Sequence, residues 1–165
     1  MKRLSVKHNP KKKRASAEKK SSSGNGQCPG PDERKEVDNS YLEGIDESEV
    51  VVLTTSNYDE LVTQGDDMWF IEFYAPWCDH CRKLAGVWAE LAKWLKGEVK
   101  VAKCNAEENR SLGNQFNVPS FPTLIFINPN DRDDWEKYEG QRQLKDLYEG
   151  AVDKKKEYTT DFTVD

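Results

Sequence analysis

From residue 50 onward the apolar positions follow two different periods, and the switches between them divide the chain into elements. The run Val50-Val51-Val52-Leu53-Thr54 is β-branched and reads as a strand. Ser56 then stands as an N-cap, with Asp59 and Glu60 in a first turn and Tyr58, Leu61 and Val62 on one side, which predicts a helix. Residues 68–75 are apolar on both faces, with Trp69, Ile71 and Phe73 opposing Phe70, Glu72 and Tyr74. A strand of that kind is covered on both sides and sits centrally in its sheet. A helical stripe then runs through Cys81, Leu84, Ala85, Trp88, Leu91, Ala92 and Leu95, and Gly97 ends it. Further along lie a strand over 99–104, a weaker helix over 107–116, a buried strand over 123–127, a strand over 135–138 and a closing helix over 143–152. This order implies an α/β fold, a central mixed β-sheet flanked by helices on both faces.

Composition restricts that fold to part of the chain. Residues 50–152 carry nearly all the Trp, Phe and Ile, so the sequence divides into a disordered tail over 1–48, a folded domain over 49–153 and a flexible end over 154–165. The net charge of −5 hides a segregation: through Lys20, nine basic residues stand against Glu18 alone, giving +8 there and −13 in the remainder. Pro10-Lys11-Lys12-Lys13-Arg14 has the look of a nuclear import signal or a nucleic-acid tether. Short Lys/Arg runs are common in solvated termini, and nucleic acid is not the expected partner. No apolar run is long enough for a membrane span. The early bases lack the hydrophobic stretch that would make them a signal peptide.

The cysteines are Cys28, Cys78, Cys81 and Cys104, and only Trp77-Cys78-Asp79-His80-Cys81 has motif spacing. Cysteines so placed close into a disulfide or open to a dithiol with little backbone movement. At a helix start the first thiolate faces unpaired N–H groups and the positive end of the dipole. That is the construction of a reversible two-electron redox site. Zinc is the rival use of the motif, but His8 and Cys28 lie in the tail and Cys104 stands alone, so no metal site is expected. The Cys78–Cys81 disulfide itself is the only redox group required. His80 can stabilise the thiolate as a cation or hydrogen-bond donor, whereas the Asp79 carboxylate opposes it and makes the disulfide a weaker oxidant. Glu72 is a carboxyl inside an apolar strand, where burial favours the neutral form unless it is paired.

Several separated segments share one resemblance. Phe70-Ile71-Glu72-Phe73-Tyr74-Ala75-Pro76-Trp77-Cys78 and Asp79-His80-Cys81-Arg82-Lys83-Leu84 resemble the catalytic a-type domain of protein disulfide isomerases, in the thioredoxin superfamily. Val118-Pro119-Ser120-Phe121-Pro122-Thr123 resembles the family's cis-proline segment, with Pro122 lying 44 residues after Cys78. Tyr138-Glu139-Gly140-Gln141-Arg142 resembles its closing Tyr-x-Gly-x-Arg. The likeness covers about 50–152 and implies the thioredoxin fold. It implies that Cys78 is the exposed nucleophile and Cys81 the shielded resolving thiol. Glu72 would move protons to and from Cys81, with Lys103 as its neighbour from the next strand. Trp77, Phe121 and Pro122 would bind substrate, the last two through a cis peptide bond whose backbone pairs with the substrate chain.

The implied partners are unfolded or disulfide-containing proteins and a redox partner protein or glutathione. The implied compartment is the endoplasmic reticulum lumen, although Thr163-Val164-Asp165 is no Lys-Asp-Glu-Leu-type retrieval signal. The alternatives are a cytosolic or nuclear thioredoxin-like reductase, or a redox-inert binding module with a basic nucleic-acid-binding tail. Intact Cys78 and Cys81 argue against inertness. The sequence departs from the family at Asp79, where glycine is usual, at Pro119, where arginine is common, and at Gly86, which replaces a helix-kinking proline. Cys104 reads as a core residue, with a regulatory thiol as the other possibility. Asn109-Arg110-Ser111 is a glycosylation sequon.

Overall fold

In the computed structural model residues 38–160 are described. Five strands, β1 (Val51–Val52), β2 (Trp69–Tyr74), β3 (Lys100–Asn105), β4 (Thr123–Ile127) and β5 (Trp135–Tyr138), form one sheet in the order β1-β3-β2-β4-β5. The first three in that order run parallel, and β4 and β5 are antiparallel to their neighbours. Three helices cover the sheet: α1 (Asp79–Trp94), α2 (Arg110–Gln115) and α3 (Leu144–Thr160). The fold class read from the pattern is the one observed. Among the described residues no helix is long and apolar enough to cross a membrane.

Side chains of β2 alternate between two cores because strand residues point to opposite faces in turn. Trp69, Ile71 and Phe73 enter one cluster with Leu112 and Phe116 near α2. Phe70 enters the other, with its ring 4.8 Å from Trp88 of α1 and 4.1 Å from Phe126 of β4. Glu72 shares the face of Phe70 and therefore points toward α1. Its backbone sits between Lys103 on β3 and Leu124 on β4, and the residue is 4% exposed. The apolar character of both faces of β2 thus has a structural cause, and its one carboxyl is delivered beneath the start of α1.

Gly97, with φ of +82°, lets the chain leave α1 in the left-handed region that suits glycine. Gly140 answers a different need. A Cβ there would lie 2.5 Å from Tyr138 Oη, whose hydroxyl donates to the Gln141 carbonyl at 2.7 Å. The Tyr-x-Gly-x-Arg segment is a ring packed over a bare backbone.

Three expectations need correction. Ser56 caps no helix: the Asn57 carboxamide accepts from the Thr54 N–H at 2.7 Å and donates to the Val52 carbonyl at 2.9 Å, which turns the chain. The chain then makes one wide helical turn, Asp59–Thr63, closed by the Gln64 N–H on the Asp59 carbonyl at 2.9 Å. The flexible end expected from 154 is helical through Thr160, because Tyr158 buries its ring and Lys154 and Lys155 pair with Glu136 and Glu98. The tail expected through 48 is already packed by residue 45. A short helical turn at Ser40–Leu42 leads into Ile45, which packs against the core. Asp46 and Glu49 pair with Lys93 and Lys96 at 3.4 and 2.9 Å. The rest of the expected tails, residues 1–37 and 161–165, lies outside the described residues, and with it Cys28 and the basic run.

Candidate redox site

Cys78 occupies the N-cap of α1 in an extended conformation (φ −79°, ψ 117°). Its N–H donates to the Ala75 carbonyl at 3.1 Å, and its own carbonyl accepts from Arg82 N–H at 3.0 Å. The Arg82 side chain ties the approach by donating from Nε to the Pro76 carbonyl at 2.9 Å. These bonds fix Cys78 where the first N–H groups of α1 point outward without intrahelical partners.

Cys81 lies on the first turn of α1, and both residues are thiols in this structure. The expected contrast in exposure is not observed: Cys78 is 7% and Cys81 4% exposed. Phe121 packs against the pair, which accounts for the cover over Cys78. The Cys78 thiol donates to the Phe121 carbonyl at 3.6 Å, across the cis Phe121–Pro122 peptide bond. Cys81 is set apart by its surroundings. Burial pushes its thiol up to about 12, against a bond from the Ala75 backbone and with help from Cys78 and Glu72.

Trp77 is 62% exposed and meets the Phe121 ring edge-on at 5.9 Å, so the two form an apolar lip beside Cys78. The indole N–H donates to the Glu107 carboxylate, which steadies the ring. Pro122 is buried behind Phe121. Asp79 and His80 are exposed on the first turn, and neither side chain makes a hydrogen bond or ion pair among the described residues.

Beneath the thiols, burial raises Glu72 to about 8, opposed by Lys103 and Arg142 and aided by Glu47. Lys103 is the register partner of Glu72 on β3, but its ammonium is engaged elsewhere. It donates to both carboxylate oxygens of Glu47, at 2.7 and 2.8 Å. Among the described residues the Glu72 carboxyl makes no hydrogen bond and no ion pair. Glu72 and Lys103 are therefore side by side without being paired.

Four contributors lie outside the sequence reading: Glu47, Tyr41, Arg82 and Glu107. The Arg82 guanidinium stands 5.2 Å over the Tyr41 ring, linking the leading segment to the redox loop. Glu47 and Tyr41 sit in an acidic, aperiodic stretch with no pattern to single them out. Arg82 had a signal, since a long basic side chain one turn after an N-cap can reach back to the loop.

Other readings resolve at these distances. Cys104 is fully buried in the core near α2, and burial raises its thiol to about 12, so it serves as a core residue. Asn109 of the sequon is 7% exposed, accepts from both the N–H and the hydroxyl of Thr55, and donates to the Asn105 carbonyl at 3.0 Å. A Cβ at Gly86 would meet only Ile45, at 3.8 Å, and α1 continues unbroken through it. Pro119 is exposed.

Residues 49–153 match the family model described as Thioredoxin. Protein disulfide-isomerase A6 homolog of Drosophila melanogaster is 41% identical over 108 residues, 64% of this chain and 25% of that protein. Mouse protein disulfide-isomerase A6 is 40% identical over 104 residues, 63% and 23% of the two chains. A thioredoxin domain-containing protein of Theileria parva is 36% identical over 121 residues, covering 71% of this chain and 54% of its own. The chain thus spans about a quarter of the length of these disulfide-isomerase relatives. Among solved structures, the J-Trx1 fragment of ERdj5 superposes with a TM-score of 0.62 at 29% identity, covering 70% of this chain and 55% of that one. The first thioredoxin domain of mouse protein disulfide-isomerase A4 gives 0.58 at 26% identity, with 80% and 88% covered.

Proposed function

The chain belongs to the thioredoxin family, as a disulfide-isomerase-type domain, and on that premise we propose that it is a thiol–disulfide oxidoreductase acting on cysteines of other proteins through Cys78 and Cys81. The observation that carries the reading is the Cys78 sulfur, 3.6 Å from the Phe121 carbonyl, with Cys81 one helical turn below. An extended substrate lying along the Phe121–Pro122 backbone brings its own sulfur to Cys78. Recognition through main-chain bonds tolerates many sequences and suits unfolded or disulfide-containing substrates. Trp77 and Phe121 supply an apolar flank.

In the reducing direction the Cys78 thiolate attacks a substrate disulfide, forming the Cys78–substrate bond and expelling the second substrate sulfur, which takes up a proton. Cys81 then passes its proton to the ionised Glu72 carboxylate and attacks the Cys78 sulfur. The mixed disulfide breaks, the substrate leaves as a dithiol, and the site retains the Cys78–Cys81 disulfide. In the oxidising direction a substrate thiolate attacks Cys78 of the site's disulfide, and neutral Glu72 returns a proton to the departing Cys81 thiolate. A second substrate thiolate then attacks the mixed disulfide, forming the substrate disulfide and releasing the Cys78 thiolate. Two electrons move in each case, and a partner protein or glutathione closes the cycle. A carboxyl titrating near 8 supplies both forms around neutral pH. No cofactor beyond the cysteine pair is required. The same reading assigns the protein to the endoplasmic reticulum lumen, supported by the likeness of its redox segments to those of disulfide isomerases.

The test is trapping. Cys81→Ser is expected to accumulate mixed disulfides with denatured substrates that still carry their disulfides, and Cys78→Ser to form none. Trapping by the Cys78 variant alone would exchange the roles.

A further inference from the structure

Strand register brings a cation to Glu72, but a second carboxylate takes hold of it. Lys103 lies opposite Glu72 in the parallel β2–β3 pair, and its side chain is largely buried. Both of its oxygen contacts go to Glu47, which reaches in from the leading segment. That segment is anchored around Glu47. Ile45 packs on the core beside Gly86, Asp46 pairs with Lys93 of α1 and Glu49 with Lys96 just after it, and the Val50 N–H donates to the Glu47 carbonyl at 2.9 Å. Geometry of this kind holds a bidentate pair in one place rather than letting it exchange partners.

We propose that Glu47 is a positioning residue of the redox site: its bidentate ion pair holds the Lys103 ammonium off the buried Glu72 and keeps that carboxyl in its proton-bearing form. The inference rests on the oxidoreductase reading for its consequence, since a proton-bearing Glu72 is what returns a proton to Cys81. An ammonium released from Glu47 has Glu72 as its neighbour in register, and a full pair there would leave the carboxyl ionised and unable to donate. The groups that face Glu72 are few. They are Lys103 of β3, Glu47 and Tyr41 of the leading segment, Cys81 of α1, Tyr74 of its own strand, and Arg142 after β5. Its β4 neighbour, Leu124, carries no charge.

The experiment follows the Glu72 carboxyl carbon by NMR through a pH titration of the 165-residue chain, with the thiols held reduced. In Glu47→Gln the midpoint is expected to fall by about one pH unit, a tenfold change in the acid constant. Glu47→Asp, which keeps the charge on a shorter arm, should fall less. In a Lys103→Met background, adding Glu47→Gln should produce a clearly smaller fall, because only the direct repulsion between the two carboxylates is then removed. The oxidising half-reaction is measured alongside: at pH 8 its rate should drop about fivefold in Glu47→Gln, following the lost proton-bearing fraction. An unmoved or raised midpoint would overturn the proposal, as would an equal fall with and without Lys103. A midpoint that falls while the rate profile stays fixed would uphold the Glu47–Lys103 assignment and overturn the Glu72 relay of the proposed mechanism. The titration needs no turnover, so the two failures are distinguishable.

Discussion

Replacing Glu72 with glutamine should stabilise the protein by an amount that grows with pH. The carboxyl titrates at 4.5 in an exposed chain and at about 8 in the fold, so between those values the folded state keeps a proton that the unfolded state has released. Stability is therefore intact below 4.5 and is lost as pH rises toward 8. At about 1.4 kcal/mol per unit, the loss reaches about 3 kcal/mol at pH 7 and about 5 kcal/mol above pH 8. Glutamine is nearly isosteric and cannot ionise. It forfeits no hydrogen bond, since Glu72 makes none among the described residues. The expected outcome in thermal melts with the thiols reduced is coincident curves near pH 4 and a melting point on the order of 10 °C higher for the variant at pH 7. Glu72→Gln should lose turnover at the same time, which separates the carboxyl's chemical role from its cost to the fold. Melting points that differ by a constant amount from pH 4 to 8 would show that Glu72 is ionised or solvated throughout.

Asp79→Gly should raise the reduction potential of the Cys78–Cys81 pair by about 15 mV, half of what a tenfold equilibrium change is worth, and the gain should shrink as salt screens the exposed carboxylate. Equilibration against glutathione at two salt concentrations checks this, and a lower potential in the glycine variant would sink it. Gly86→Ala should stabilise the protein by up to about 1 kcal/mol in denaturant melts, because α1 is continuous there and a methyl group meets only Ile45 at an ordinary contact distance. A loss of stability would mean that Ile45 cannot give way. A chain starting at Asp38 should melt like the whole protein, while one starting at Glu49 should melt several degrees lower for want of Ile45, Tyr41 and Glu47. Identical melting points for the two shortened chains would contradict the packing of this segment.

Where one physical effect dominated, the sequence was enough. Residues 68–75 read as a central strand because a short run with large side chains on both faces needs cover from both sides, and the strand observed is Trp69–Tyr74. The α1 stripe and the placement of Cys78 at its start came from periodicity and a strand ending at Tyr74. The first helix was misread because Ser56 and Asn57 are both plausible turn formers, and only the backbone decides which side chain reaches the Thr54 N–H. The leading segment escaped because its apolar anchors are single residues without a period. The family resemblance put Lys103 beside Glu72 on the next strand, and the register has it there. Its actual partner depended on a contact 56 residues away in the chain, and no local pattern encodes that. The shielding of Cys78 was missed for the same reason, since its cover comes from Phe121.

The setting of Asn109 makes folding and modification competitors. The residue is 7% exposed, with its carboxamide bonded to Thr55 and Asn105, so a bulky oligosaccharide on that nitrogen and the closed loop exclude each other by burial. In a compartment with a glycosylating enzyme, the Asn109-Arg110-Ser111 acceptor is open only while the chain is still unstructured, and it disappears when the domain shuts. The fraction of molecules carrying the sugar would then act as a clock, recording how long each chain waited between synthesis and closure. Any change that slows closure would be written into the mass of the product.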